Sequence, residues 1–346
     1  MNRRLVVAVI ALSFTACSGG QGGALPQSAS RAALGAPEAN DTVPASSGDV
    51  YVANFYGNTV NVYSPDGKSK VRTITNGIAY PNALAFNKSG SLFVGNYGSL
   101  SGSITSNVAV YPPGGGSPAR TIVQGILGPY AFAFDSKSNL YVANYGGATV
   151  TIYKAGGSAL LQTINKDVRS PEALLFDKSG NLYVANWGNN SVTVYAPPKL
   201  KLKTSIKTGV LRPDALAMDA AQNLYVANRS ANTVTVYPPN HLNSPKTIRK
   251  GVREPATLIS TASKELFVLN YSNNTVSVYS EATLALERTI ATGIACPTSM
   301  AMSGSGLLFV ANSCPSSISV YSSTGSKPLR SITKGIDGPV AIDIQP

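Results

Sequence analysis

Histidine is nearly missing from this chain of 346 residues, which contains one, His241. A histidine metal cluster needs several imidazoles, and a Ser-His pair needs one beside the nucleophile. His241 follows Tyr237 in a loop, and the strand directions of the repeat place that loop towards the rim, opposite the candidate binding face. The sequence therefore excludes a histidine cluster and offers no histidine base at that face.

Helical patterns and charged residues are also scarce. No amphipathic helical period appears outside the N-terminal leader, and Asp, Glu, Lys and Arg together make up 13% of the residues. Because no strand leads through a Gly-rich loop into a helix, the chain lacks a phosphate-binding loop of the nucleotide-binding type. The 32 glycines and 22 prolines supply turns instead. This composition favours an all-β, exported protein.

Cysteine is rare, and one of the three cysteines ends the leader. A basic start and an apolar run over residues 5–12 have the order of a secretory signal, which is too short for a stable membrane span. The segment from Phe14 to Cys17 resembles the lipobox of bacterial lipoproteins, and this resemblance implies a diacylglycerol on Cys17. Because Phe14 stands where Leu is usual, ordinary signal cleavage without a lipid is the alternative. Ser18 is similar to the outer-membrane sorting pattern.

The segment after the leader predicts a flexible tether. Residues 18–48 are rich in Gly, Ser, Ala and Pro and have almost no aromatic side chain. Together with residues 1–17, a predicted lipoprotein signal peptide, they indicate an exported protein of the bacterial cell envelope. We expect an outer-membrane lipoprotein or a periplasm-facing one, held to the membrane by its lipid.

The other two cysteines, Cys296 and Cys314, form an even pair in an oxidising compartment. Both lie in loops that emerge on the same face, because antiparallel strands alternate in direction. These positions predict a disulfide, and two free buried thiols are the alternative.

Three landmarks recur with a fixed period. Prolines stand at Pro81, Pro129, Pro171, Pro213, Pro255, Pro297 and Pro339, with a first interval of 48 residues and later ones of 42. Asparagines stand at Asn54, Asn96, Asn144, Asn186, Asn228, Asn270 and Asn312, and tyrosines at Tyr63, Tyr111, Tyr153, Tyr195, Tyr237, Tyr279 and Tyr321. We expect the asparagines to hold the turn after each second strand through side-chain hydrogen bonds. Seven copies of one period are typical of stacked supersecondary units.

Each unit predicts four short strands. In the unit that begins at Pro213, these are residues 215–218, 223–228, 233–237 and 246–248, which are rich in Val, Tyr, Thr and Ile and bounded by turn residues. The strands are apolar on both faces, so the sheets must stack face to face. Seven four-stranded sheets arranged radially make a β-propeller.

The two ends of the chain predict how the ring closes. The first unit begins at Val50 and lacks a first strand, whereas residues 340–344 after Pro339 form a strand without partners. We expect the C-terminal strand to complete the N-terminal blade, because this pairing removes the last open edge. Residues 49–346 are therefore predicted as one seven-bladed propeller with antiparallel blades.

One face of the ring, here called the top face, collects the loops after each landmark asparagine and around each landmark proline. The candidate ligand-binding residues at this face are Phe55, Tyr97, Tyr130, Tyr145, Trp187, Arg229 and Tyr271. The aromatic members predict either packing between blades or a stacking platform for a sugar, a peptide or another planar ligand. The longer first interval places extra residues near positions 99–106 in a top loop, so this face also carries variation in length.

Two carboxylates break the repeat symmetry at the top face. Glu172 and Asp214 occupy equivalent positions on adjacent blades. Carboxylates that converge on a channel mouth can bind a hard cation such as Ca²⁺ or serve as acid and base. Because Arg212 and Arg229 lie close to these carboxylates in the repeat, the alternative is a solvated cluster of ion pairs. We therefore predict no cofactor, with a divalent metal at Glu172 and Asp214 as the alternative.

The repeat motif resembles a known class of propellers. Leu-Tyr-Val-Ala-Asn, followed by Asn-x-Val-x-Val-Tyr and preceded by Pro-x-Ala-Leu-Ala-Phe-Asp, is similar to the NHL and YVTN repeats over residues 49–346. The resemblance implies the propeller architecture and is shared by binding and sensor domains, by gluconolactonase-like hydrolases with a channel-bound metal, and by streptogramin lyases. The chain lacks the top-face histidines of a lyase, and Glu172, Asp214 and Asn186 are the nearest match to the hydrolase ligands.

Three functions follow as alternatives. The first is a non-catalytic, surface-tethered binding propeller, expected to be a monomer, that presents its top face to a protein, peptide or glycan. The second is a metal-dependent lactonase-like hydrolase that uses Glu172 and Asp214, and the third is a structural envelope protein. The formal charge of +12 favours acidic partners, but nucleic acid is not expected for an exported chain without a nucleic-acid motif.

Overall fold

The computed structural model describes residues 47–98, 105–239 and 241–346. Over these residues, 28 strands form seven four-stranded antiparallel sheets, which we number as blades 1 to 7. Single-turn 3-10 helices lie at Trp187–Asn189 and Arg229–Ala231. No helix in these ranges is long and apolar enough to cross a membrane.

The strands follow one another outward through each blade, and the last strand of the chain returns to blade 1. Blades 1 to 4 contain β1 (Val50–Asn54), β2 (Thr59–Tyr63), β3 (Lys70–Ile74); β4 (Pro81–Phe86), β5 (Leu92–Asn96), β6 (Asn107–Tyr111), β7 (Arg120–Ile122); β8 (Pro129–Phe134), β9 (Leu140–Asn144), β10 (Thr149–Tyr153), β11 (Leu160–Ile164); and β12 (Pro171–Phe176), β13 (Leu182–Asn186), β14 (Ser191–Ala196), β15 (Lys201–Ile206). Blades 5 to 7 contain β16 (Pro213–Met218), β17 (Leu224–Asn228), β18 (Thr233–Tyr237), β19 (Lys246–Ile248); β20 (Pro255–Ser260), β21 (Glu265–Asn270), β22 (Thr275–Ser280), β23 (Leu286–Ile290); and β24 (Pro297–Met302), β25 (Leu307–Ser313), β26 (Ser316–Ser322), β27 (Arg330–Ile332), before β28 (Pro339–Ile344) joins blade 1.

The ring closes as predicted. Strand β28 pairs antiparallel with β1, with Val50 opposite Ile344 and Val52 opposite Ile342. The innermost strands contact one another in a closed cycle through β4, β8, β12, β16, β20, β24 and β28. Every blade therefore has a neighbour on both sides, and the predicted seven-bladed propeller with C-terminal closure is confirmed.

The hydrophobic core is divided into seven layers, one between each pair of neighbouring blades. Between blades 5 and 6, for example, Val234 and Ile248 pack in one cluster with Leu266 and Val268. Strand β9 is buried at all five residues because sheets cover both of its faces. Because the side chains are apolar on both faces of each strand, the sheets pack against one another on both faces, and neither face is left to solvent.

The landmark tyrosines join neighbouring blades. Each hydroxyl donates to a carbonyl oxygen in the loop that leads from the preceding blade. These bonds run from Tyr63 to Lys334, Tyr111 to Asn76, Tyr153 to Gln124, Tyr195 to Lys166, Tyr237 to Thr208, Tyr279 to Lys250 and Tyr321 to Thr292. A phenol that is otherwise buried is thereby satisfied, and it holds the inter-blade loop.

The landmark asparagines span the turn to the third strand and also reach the inter-blade loop. In blade 3, the Asn144 amide donates to Thr151 Oγ1 at 2.9 Å, and its carbonyl oxygen accepts from the Leu127 N–H at 3.1 Å. Asn186 likewise accepts from the Arg169 N–H. The asparagines therefore do more than hold the turn after the second strand, as expected from the sequence. They also bind each second strand to the inter-blade loop at the top face.

Several predictions fall outside the described residues. These include the signal peptide at 1–17, the lipidation site Cys17, and the tether at 18–48 apart from its last two residues. Within the first-interval insertion, residues 99–104 are outside as well.

Candidate functional site

Each innermost strand carries a β-bulge next to its proline. In blade 4 the pairing passes from Pro171 directly to Ala173 while the partner strand advances by one residue, so Glu172 is the extra residue. The same shift makes Asp214 the extra residue of blade 5 and Tyr130 that of blade 3. Because a bulge redirects a side chain, three adjacent blades present these three residues at the top ends of the innermost strands.

The residue before each proline is held in a left-handed backbone conformation. The φ angle is 47° at Arg212 and 44° at Glu254. The Arg212 N–H donates to Asn190 Oδ1 at 2.9 Å, and the Arg212 carbonyl accepts from the Arg229 N–H at 3.1 Å. Bonds on both sides maintain a conformation that costs about 1–2 kcal/mol for a residue with a side chain. They fix Arg212 and Glu254 beside the bulge residues.

Glu172 and Asp214 form a buried carboxyl pair, and each is 8% exposed. Burial first, and then the neighbouring Asp214 carboxylate, raise the pKa of Glu172 well above its ordinary value, although Arg229 opposes them. Glu172 therefore holds its proton to a higher pH than an exposed carboxyl group does, and Asp214 lies between Glu172 and Arg229. The Oε2 atom of Glu172 is buried and has no hydrogen-bond partner among the residues that the structure describes.

Arg229 links the carboxyl pair to the surrounding ring of loops. Its Nη1 lies 3.2 Å from Asp214 Oδ2 and its Nε 3.7 Å from Glu254 Oε2. Its guanidinium carbon stands 4.9 Å from the centre of the Tyr271 ring. Burial lowers the pKa of Arg229, but Asp214, Tyr130 and Glu254 outweigh that effect, and the net shift is upward. Of the two arginines in the expected cluster, Arg229 forms ion pairs, whereas Arg212 lies over the Trp187 ring. The Arg229–Asp214 pair is largely buried, and the Glu254 side chain is 43% exposed.

Two tyrosines adjoin this cluster. The rings of Tyr130 and Tyr145 lie 5.6 Å apart at an angle of 36°, and both side chains are partly exposed. Burial, followed by the Glu172 and Asp214 carboxyl groups, raises the pKa of Tyr130 well above its ordinary value. Its hydroxyl is therefore neutral and can donate a hydrogen bond. Aromatic faces and a buried carboxyl pair meet at one place on the ring.

The other candidate residues are distributed around the top face. Phe55 packs 5.2 Å from Tyr80 of the next blade, and Arg212 lies 5.3 Å from the centre of the Trp187 ring. All residues that follow the landmark asparagines, including Tyr97, are partly exposed. The aromatic residues therefore pack against neighbouring loops and still expose part of each ring.

The nearest match to a hydrolase metal set does not assemble. Asn186 is completely buried, accepts from the Arg169 N–H and donates to Thr193 Oγ1 at 3.0 Å, so its polar atoms are occupied within the blade. Over the described ranges, no group of three or more His, Cys, Asp or Glu side chains is placed to hold a metal ion. The carboxyl pair can bind hydrogen-bond donors or a cationic group with the residues that are present.

The two cysteines of blade 7 lie on the two top-face loops of that blade, one before the landmark proline and one after the landmark asparagine. Cys296 and Cys314 are joined by a disulfide with a Cα–Cα distance of 5.5 Å. Cys296 occupies the position before the proline, where Arg212 and Glu254 stand in other blades, and its carbonyl accepts from the Ser313 N–H at 3.1 Å. The disulfide therefore adds a covalent bond to the loop contact that all blades share.

Sequence reasoning missed Asp343 on β28. Its carboxylate accepts from the backbone N–H of Phe86 in blade 2 at 3.2 Å, and burial raises its pKa to about 6. The other six innermost strands have Ala, Leu or Ile at the matching position. An alignment of the seven repeat copies would have shown this residue, because Asp343 is the one charged residue at a position that is apolar in the other six copies.

Comparisons with known proteins support the architecture. No protein-family model matches the chain, and no curated protein matches it. A structure described as a "putative 6-phosphogluconolactonase" from Bacteroides fragilis is 16% identical, with a TM-score of 0.69 over 89% of this chain and 99% of that one. A functionally unknown protein from Desulfotomaculum acetoxidans is 14% identical, with a TM-score of 0.71 over 86% and 99%. A streptogramin B lyase is 13% identical, with a TM-score of 0.65 over 81% and 93%. At these identities the likeness establishes the β-propeller fold and nothing more specific.

Proposed function

We propose that this chain is a non-catalytic binding propeller whose top face takes a glycan. The observation that carries the proposal is the buried Oε2 of Glu172, which has no hydrogen-bond partner in the described parts of the chain. A buried polar atom without a partner costs about 1–3 kcal/mol, and a ligand hydroxyl at the channel mouth would remove that cost. The partly exposed rings of Tyr130 and Tyr145 stand beside it.

The chemistry of the cluster favours a sugar over a flat apolar ligand. Glu172 accepts hydrogen bonds and, while it holds its proton, also donates one, Asp214 accepts and Arg229 donates, which suits a ring of hydroxyl groups. The tyrosine faces supply apolar surface against which a sugar ring can lie. A protein or peptide ligand would need cationic or amide donors at the same point. Sugar binding and peptide binding can be distinguished by experiment.

The proposal includes the cell-envelope location. A lipid on Cys17 and a tether over residues 18–48 would hold the propeller to the membrane of a bacterial cell, with the ring free to meet glycans of the envelope. We propose an outer-membrane or periplasm-facing monomer. Cleavage of the leader without lipidation would release the same binding domain.

The carboxyl pair also supports a second candidate, a hydrolase. The raised pKa of Glu172 lets this carboxyl group keep its proton beside a second carboxyl group, which is an arrangement that general acid catalysis uses. One protein of the same fold is described as a putative 6-phosphogluconolactonase. A lactonase-like activity would depend on these two residues.

Trp187, the single tryptophan of the chain, provides a direct test because it lies on the top face. We expect short neutral and amino-sugar oligosaccharides to change its fluorescence in a saturable manner, with the sugar recovered intact. Glu172→Ala should weaken binding about 10-fold to 100-fold, because a charged or buried hydrogen-bond partner is worth about 1.5–3 kcal/mol. Glu287→Ala, which removes an exposed carboxylate from an outer strand, is the matched control.

The other functions give different results in the same experiment. If basic peptides bind in a saturable manner and no sugar does, the ligand of the top face is a peptide and not a glycan. Turnover of an added lactone that is lost in Asp214→Asn would identify the hydrolase. If neither sugars nor peptides bind the folded protein, the binding proposal fails and a structural envelope role takes its place.

A further inference from the structure

A cavity lies between blades 2 and 3 on the face opposite the top face, where the loops between first and second strands and between third and fourth strands emerge. Its volume is about 180 Å³. The polar residues that line it are Asn87, Ser89, Ser91, Arg120, Ser138 and Lys154, and the backbone of Gly156 and Gly157 forms one wall. Two of the lining side chains are cations and none is acidic. A water molecule occupies about 30 Å³ in the liquid, so the cavity holds several waters or one small anion.

Arg120 is held at this cavity by a packing contact that the repeat uses elsewhere. Its guanidinium carbon stands 5.8 Å from the centre of the Phe93 ring, and Arg288 stands 5.4 Å from Phe267 in blade 6. The two arginines occupy the same position in their blades, nine residues after the landmark tyrosine. The repeat therefore determines where the guanidinium lies, and the neighbouring residues determine its partner.

The partner differs between the two blades. In blade 6, Arg288 Nη1 lies 2.5 Å from Glu265 Oε1. In blade 2 the residue at the Glu265 position is Ser91, which brings no charge. The Nε atoms of Arg120 and Arg288 are both buried without a hydrogen-bond partner among the described residues, so the feature that distinguishes blade 2 is the missing carboxylate. Burial lowers the pKa of Arg120, which is the direction expected for a cation without a counter-ion.

Arginine also stands at this repeat position in blades 1 and 7, as Arg72 and Arg330, and Arg72 donates from Nη1 to the carbonyl oxygen of Gly114 at 2.9 Å. Arg330 of blade 7 has Leu307 at the Glu265 position, and its Nη1 is also buried without a partner among the described residues. There, the neighbouring loop closes over the site, because a Cβ on Gly67 would lie 3.1 Å from Phe309 and from Ile332. The matching loop of blade 3 leaves open space beside Gly156.

We propose that the cavity between blades 2 and 3 is a binding site for a tetrahedral oxyanion, phosphate or sulfate, either free or as a monoester. Arg120 and Lys154 supply the charge, and the hydroxyls of Ser89, Ser91 and Ser138 supply donors. The loop that carries Ser89 and Ser91 is already ordered, since both N–H groups donate to Asn87 Oδ1. The site is independent of the top face and of its ligand.

Anion titrations test the proposal on the folded, intact chain. At constant ionic strength, inorganic phosphate or sulfate should raise the melting temperature in a saturable manner relative to chloride. Arg120→Gln and Lys154→Gln should each weaken binding tenfold or more, whereas Arg330→Gln is the matched control and should leave it unchanged. Glycerol phosphate forms a second arm: tighter binding than inorganic phosphate would identify a monoester, and equal binding would identify the free anion.

A further variant keeps the test decisive if Arg120→Gln folds poorly. Ser91→Glu reproduces the Arg288–Glu265 arrangement of blade 6, so it should fold well and abolish anion binding by supplying an internal partner. The proposal is overturned if neither phosphate nor sulfate stabilises the protein more than chloride does. It is also overturned if stabilisation persists unchanged in Ser91→Glu.

Discussion

The hydroxyl of Tyr63 donates to the carbonyl oxygen of Lys334 at 2.8 Å, across a sequence separation of 271 residues. The same bond joins every other pair of neighbouring blades, but there the partners are close in the chain. At the junction of blades 7 and 1 it joins the two ends of the propeller, beside the pairing of β28 with β1. The contacts that build each inter-blade boundary thus also close the ring.

The tyrosine bonds should contribute equally at the closing junction and within the ring. Tyr63→Phe removes one hydrogen bond to a carbonyl and keeps the ring, so we expect a loss of about 1 kcal/mol in the free energy of unfolding. Tyr195→Phe, at the matching position of blade 4, is the control and should lose the same amount. Denaturant unfolding measures both losses, provided that the dependence of the unfolding free energy on denaturant concentration is the same in the two variants. A much larger loss in Tyr63→Phe would show that closure is weaker than the internal junctions.

Asp343 should make stability depend on pH. Its pKa is about 6 in the folded chain against an ordinary value of 3.8, so the folded state holds a proton that the unfolded chain has released between these values. Stability therefore falls as pH rises through this window, by up to about 3 kcal/mol. Asp343→Asn should remove that slope and be more stable at pH 7. Asp337→Asn, at an exposed carboxylate, should keep the slope.

Glu172 should be a neutral carboxylic acid at pH 7. Burial and the Asp214 charge raise its pKa above the ordinary 4.5, so its effect on stability is unfavourable and grows as pH rises from about 4.5 towards the folded value. Infrared spectra at neutral pH should show a protonated carboxyl band that Glu172→Gln removes. Asp214→Asn should shift titration of this band to lower pH, because it removes the neighbouring charge. A band that is absent at pH 7 would contradict the assignment.

The disulfide of blade 7 should stabilise the ring without being needed for its fold. It closes a loop with a sequence separation of 18, for which chain entropy predicts about 3 kcal/mol. In a Cys17→Ser background, replacing Cys296 and Cys314 by serine should lower the free energy of unfolding by that amount. The Ser313–Cys296 backbone bond remains in this variant, so the far-ultraviolet spectrum should not change. A reducing agent should destabilise the parent and leave the serine variant unaffected.

The repeat made the architecture predictable. A period of 42 residues with strand signals in every copy is a local property of the sequence, and the strand without partners at residues 340–344 determined the closure. The predicted second strand of the unit at Pro213, residues 223–228, agrees with β17 (Leu224–Asn228) to within one residue. Predictions of this kind succeed because apolar alternation and turn residues act over a few positions.

The candidate sites were less accessible from the sequence. Glu172 and Asp214 were recognised because they interrupt the repeat, but their burial depends on bulges that appear only when register is known. Arg120 has the same repeat position as Arg288, and nothing in the local sequence shows that its cavity stays open while Gly67 covers the matching site in blade 7.

The sequence by itself determined the seven blades, their strands and the way the ring closes. Tertiary structure alone decided which side chains from different blades meet, which carboxyl group has a raised pKa and where a cation lacks a carboxylate partner. The physical reason is that strand formation depends on neighbours in the chain, whereas burial and charge pairing depend on distances between blades that no local pattern encodes.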